Sequence, residues 1–122
     1  SCSTIAPVVA DLLKGTLAFE GQGTNTSGVA AFQAIAGDLM LGSGNADAAL
    51  EFYFKVDNML PSVDSATRIA HVYLRAGEFP SARRMLEVAI ERDAQDGISE
   101  EKMAQYVTIF EFIDERINSN LP

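Results

Sequence analysis

The 122 residues hold a single cysteine, Cys2, which excludes an internal disulfide and any zinc site built on cysteines. The single histidine, His71, leaves no set of ligands at metal-binding spacing. Bases are scarce too. Nine Lys and Arg stand against 17 Asp and Glu, for a net charge of −8 and a pI near 4.4. Nucleic acid is excluded as a partner on that ground, because neutralising phosphates takes clustered Lys and Arg. Alternating runs of strand formers are missing, and no apolar run approaches the roughly 18 residues that a membrane span requires.

What is present is helical grammar. Hydrophobic residues make up 48% and charged residues 21%, the balance of an ordinary globular chain. Ala, Leu, Met, Glu and Arg dominate stretches broken by Gly, Asn, Pro and Ser, so the expected fold class is all-α, with about six helices in antiparallel hairpins. Spacing and end signals predict helices over 4–19, 28–41, 46–60, 63–76, 79–92 and 100–118. Asn45, Ser62 and Ser99 are placed to cap, Thr26 or Ser27 caps the second helix, and Pro80 falls in a first turn. Residues 20–28 are polar and Gly-rich, but they follow a helix and lack the Gly-Lys-Ser/Thr ending of a phosphate loop. They are read as a connector.

Two stretches match at a shift of 33 residues: Gly37 falls on Ala70, Met40 on Tyr73, Gly44 on Gly77, Ala49 on Ala82, Tyr53 on Leu86 and Val56 on Ala89. These positions resemble the tetratricopeptide repeat, whose unit of about 34 residues has small, aromatic and glycine positions at fixed offsets. The resemblance implies one α-α superhelical domain over 1–122. Its parts are a helix and loop (1–29), one repeat (30–62), a second (63–95) and a C-terminal capping helix (96–122). Phe110 stands where a third unit needs its turn glycine, so the last helix is expected to run on without a hairpin. That helix carries more apolar residues than one face requires.

No residues suggest an enzyme or a cofactor. Glu87 and Glu91 share a helix face, as do Glu111 and Glu115, but neither pair has a His three residues on. No Ser or Cys lies in a nucleophile motif with a partner His. The informative stripe is Arg68, His71 and Arg75, at i, i+3 and i+7, with Asp64 and Thr67 beside it. It falls within residues 62–77, the least acidic segment, where one acid meets two bases. By the resemblance, the first helix of each hairpin lines a groove, presenting Ala31, Ala34, Asp38 and Leu41, then Thr67, Arg68, His71 and Arg75. Two guanidiniums there can hold an acidic partner segment. Alternatively, they are surface residues paired with nearby acids. Lys and Asn, which clamp a C-terminal carboxylate in some members of that family, are absent from the matching positions.

The leading expectation is a non-catalytic adaptor, scaffold or chaperone that binds a peptide or helix of another protein. The second is a subunit whose repeats serve homo-oligomerisation or the assembly of an envelope or secretion apparatus. Two readings of the start accompany them. A cytoplasmic chain can begin at Ser1 after loss of its initiator Met, or Cys2 can be the lipidated residue of a periplasmic or membrane-anchored lipoprotein.

Overall fold

A computed structural model describes residues 26–120, and among these it holds five α-helices and no strand. They are α1 (Thr26–Gly42), α2 (Ala46–Met59), α3 (Val63–Arg75), α4 (Phe79–Ala94) and α5 (Glu100–Ser119). The helix expected over 4–19, Cys2 and most of the Gly-rich loop lie outside the described residues. The chain divides after Pro61 into two compact units, each built around one hairpin.

Each hairpin turns on a glycine. Gly44 takes φ +85°, where its N–H bonds to Leu41 O at 3.0 Å and the Asn45 N–H reaches back to Met40 O at 2.9 Å. Thirty-three residues on, Gly77 takes φ +76°, bonding Leu74 O at 3.2 Å, while the Glu78 N–H reaches Tyr73 O at 2.9 Å. This is how a left-handed residue satisfies the last carbonyls of a helix, and glycine adopts it with no Cβ penalty. The next helix then starts at once. Asn45 Oδ1 accepts the Ala48 N–H at 3.1 Å, a cap whose loss costs about 1 kcal/mol. Ser62 and Ser65 cap each other's backbone at the start of α3, Pro80 occupies the first turn of α4, and Ser99 Oγ accepts the Lys102 N–H at 3.1 Å.

Two ends differ from expectation. Thr26 and Ser27 are already helical rather than capping. α4 continues to Ala94, because nothing breaks it before Gly97 at φ +87°. Asp93 is therefore a helical residue with a defined direction, not part of a turn.

In the first unit, α1 buries Val29, Ala30, Ala36, Gly37 and Met40 against Ala49, Phe52, Tyr53 and Val56 of α2. Gly37 and Tyr53 lie symmetrically about the turn, as antiparallel helices require. A Cβ on Gly37 would stand 2.7 Å from Tyr53 Cδ1 and closer still to Cε1. The ring is 2% exposed, and its hydroxyl donates to Asp38 Oδ1, so it has no room to swing away. Gln33 is an apolar core's exception: it is 1% exposed, and its Oε1 has no hydrogen-bond partner among the described residues. Such a group costs about 1–3 kcal/mol.

In the second unit, Ala70, Ala82, Leu86 and Ile113 form the buried centre, with Tyr73, Leu74, Phe79 and Phe110 packed around it. Burying a side chain such as Ile113 contributes about 1.5–3 kcal/mol. α5 joins α4 along the same antiparallel register through polar hooks as well. Arg83 Nε donates to Asp114 Oδ1 at 2.8 Å, and the Arg83 guanidinium lies 4.9 Å from the Phe110 ring centre. Arg83 also pairs with Glu87 on its own helix, and Arg84 Nη2 donates to Ser81 Oγ at 3.0 Å. The surplus apolar residues of α5 remain in part at the surface: Met103, Val107 and Phe112 are 40–46% exposed.

Two substitutions check this packing by thermal unfolding followed by circular dichroism. Gly37→Ala overpacks the first hairpin and lowers its stability by about 1–3 kcal/mol; an unchanged midpoint would show that the close approach to Tyr53 does not exist. Gln33→Leu removes the unsatisfied amide oxygen and raises the midpoint.

Candidate functional site

α3 divides cleanly into two faces. Ser65, Ala66, Ile69, Ala70 and Val72 are buried, whereas Asp64, Thr67, His71 and Arg75 are exposed and Arg68 is half-buried. The expected stripe therefore exists as one continuous outer face. Arg68 Nε donates to Asp64 Oδ2 at 2.8 Å, an i,i+4 pair worth a few tenths of a kcal/mol at such exposure. Thr67 Oγ1 donates to Val63 O at 2.7 Å, within its own helix. Among the described residues, His71 and Arg75 have no ion-pair partner. Asp38 and Leu41 belong to the first unit, on α1; Asp38 is exposed and holds the Tyr53 hydroxyl, and Leu41 is half-buried.

Beside this stripe the second unit holds a cleft of about 460 Å³. Val63, Asp64 and Thr67 of α3 form one wall, Lys102, Gln105, Tyr106 and Ile109 of α5 the other, and Leu86 of α4 the floor. Asp64 and Thr67 thus belong to both the stripe and the cleft. The lining combines the apolar Val63, Leu86 and Ile109 and the Tyr106 ring with the polar Asp64, Thr67, Lys102 and Gln105. Concavity with an apolar floor and a few convergent polar groups is the ordinary form of a binding site.

The α5 wall is fixed by Asp93. Its Oδ2 accepts the Tyr106 hydroxyl at 2.9 Å and pairs with Lys102 Nζ at 2.6 Å. The Lys102 ammonium holds the Asp93 carboxyl below the ordinary carboxylate value, helped by the tyrosine hydroxyl. Asp93 in turn raises the Lys102 ammonium, while burial, then Asp93, raises the Tyr106 phenol. The α3 wall is fixed by the residue before: Arg92 Nη1 donates to Ser62 O at 2.8 Å, at the N-cap of α3.

Sequence reasoning located one wall of the cleft and missed the other. Lys102, Gln105, Tyr106 and Ile109 fall on a single face of a helix at i, i+3, i+4 and i+7, which the spacing alone could have suggested. What spacing does not contain is the neighbour that face meets. Arg92 and Asp93 were hidden because the helix was expected to end at the first of them. Among the described residues, no cluster of three or more His, Cys, Asp and Glu is arranged to hold a metal ion, and no helix is long and apolar enough to cross a membrane.

The pH dependence of the Asp93 link follows from the two shifts. A carboxyl lowered by folding contributes stability that is present above its ordinary value of 3.8 and lost as pH falls through the depressed one. An ammonium raised by folding contributes below its ordinary value of 10.5 and loses that contribution as pH rises beyond it. The link is intact across the neutral range. In urea unfolding, wild type and Asp93→Asn should differ most near neutrality and converge in strong acid; a gap that widens as pH falls would contradict the assignment.

Comparison with protein-family models, with curated proteins and with solved structures finds no match to this chain.

Proposed function

We propose that the protein is a non-catalytic interaction module whose second unit binds a segment of another protein, seating an apolar side chain in the α3–α5 cleft and an acidic group on the α3 stripe. The observation that carries this reading is the juxtaposition itself: a cleft whose apolar lining is Val63, Leu86 and Ile109 shares Asp64 and Thr67 with the outer face of α3 that bears Arg68, His71 and Arg75. The floor offers burial, worth about 25 cal/mol per Å² of apolar surface removed from water. The guanidiniums offer charge-assisted hydrogen bonds that fix direction and register.

The tetratricopeptide resemblance supports the same reading. Two hairpins close with the same pair of backbone bonds 33 residues apart, and by the resemblance α3 corresponds to a first helix, the one that lines the groove in that family. The acid-binding half of the proposal rests on Arg75 and His71 more than on Arg68, whose Nε already bonds Asp64.

A second reading, a subunit that assembles with copies of itself, is favoured by Phe32 and Ile35. They are 53% and 50% exposed on α1. Light scattering across a concentration series separates the two readings, since only self-assembly raises the mass.

For the leading reading the test is the double variant Arg68→Ala, Arg75→Ala, assayed by fluorescence anisotropy against labelled peptides that pair an apolar residue with a nearby carboxylate. Affinity for the best binder should fall about tenfold or more, the size of a lost charged hydrogen bond, with helicity unchanged. Equal affinity in the variant would remove the stripe from the site.

A further inference from the structure

We infer that the last turn of α4 sets both the width and the charge of the cleft, with Arg92 and Asp93 as positioning residues for the ligand it takes; this rests on the reading of the cleft as the seat of a partner side chain. Consecutive helical residues point about 100° apart, and these two use that divergence to reach opposite walls. Arg92 takes the α3 wall by its N-cap carbonyl, at Ser62 O, 2.8 Å away. The next residues, Val63 and Asp64, line the cleft. Asp93 takes the α5 wall through Tyr106 Oη at 2.9 Å and Lys102 Nζ at 2.6 Å, and both of those residues line the cleft themselves. Leu86, the floor, lies two turns earlier on the same helix. One element therefore supplies the floor and grips each wall by a charged side chain.

The grip also decides what the lip offers. The Lys102 ammonium reaches into the cleft wall, and left alone it would make the opening a site for carboxylates. Held on Asp93, whose side chain is only 13% exposed, it is neutralised where it stands. Tyr106 likewise directs its hydroxyl to Asp93. The cleft is left to an uncharged, apolar side chain, and the arginine of α3 that has no ion-pair partner among the described residues is Arg75. Asp93 thus separates two subsites, an apolar one in the cleft and an acid-binding one on the stripe.

The test needs no partner. In a Cys2→Ser background, nitroxide labels at Thr67→Cys and Thr108→Cys, two exposed positions on α3 and α5, report the distance across the cleft by double electron–electron resonance. The parent should give one narrow distribution. Arg92→Met and Asp93→Ala should each broaden and lengthen it, the pair together more than either, and Arg92→Lys should restore it in part. A lowered melting point with the distribution unchanged would overturn the width claim, leaving the turn a source of stability only. If Asp93→Ala does not fold, Asp93→Asn carries the test of charge, because it keeps an acceptor for Tyr106 and drops the ion pair. Its affinity for the anionic dye 8-anilinonaphthalene-1-sulfonate should rise about twofold to fivefold, the range of one exposed ion pair. No rise overturns the charge claim. Failure of peptide binding alone would leave both of these outcomes in force, so the two readings fail separately.

Discussion

A helix that must reverse direction within three residues has few ways to satisfy its last carbonyls, and both hairpins depend on that constraint. Gly44 and Gly77 meet it in the left-handed region, where a side chain would be strained. Once each turn is closed, the antiparallel register follows, and with it the pairing of residues equidistant from the turn. Gly37 then lies opposite Tyr53, and Ala70 shares the buried cluster with Leu86. The two pairs solve one problem differently. A tyrosine ring leaves room only for glycine, whereas the narrower leucine tolerates an alanine, so volume is conserved across each interface.

α5 is under no such constraint. The five residues between Ala94 and Glu100 leave its approach to α4 undetermined by turn geometry, so side chains decide it. Ile113 provides burial, and Arg83 with Asp114 and Asp93 with Lys102 and Tyr106 provide direction. Exposed ion pairs are individually weak, at about 0–1 kcal/mol, but they need only choose among orientations that burial leaves nearly equal. The cleft is a consequence of that division. α5 is held along α4, and the face bearing Lys102, Gln105, Tyr106 and Ile109 is left open towards the start of α3.

The parts of this architecture legible in the sequence are those determined locally. Asn45, Ser62 and Ser99 announce helix starts by chemistry that acts over three residues, and Gly44 and Gly77 announce stops in the same way. The exposed and buried faces of α3 were readable because its polar and apolar residues separate at helical spacing. The cleft was not, because it is made by three helices, and no periodicity states which faces meet. Arg92 and Asp93 show the limit most clearly. As sequence they are two charged residues near a helix end, indistinguishable from a solvated terminus, and only the positions of Ser62, Lys102 and Tyr106 give them separate tasks.

The residues of the α3 stripe differ in how far the fold accounts for them. Asp64 lies in the first turn and Arg75 in the last, where each complements the helix dipole by about 0.3–1 kcal/mol. Arg68 is accounted for by its pair with Asp64. Helix stability alone therefore gives a reason for all three charges. It gives none for His71, a residue of middling helix propensity at an exposed mid-helix position with no ion-pair partner among the described residues. Packing does not need it, since Ile69, Ala70 and Val72 already fill the buried face. Of the residues on this surface, His71 is the one whose identity the fold leaves unexplained.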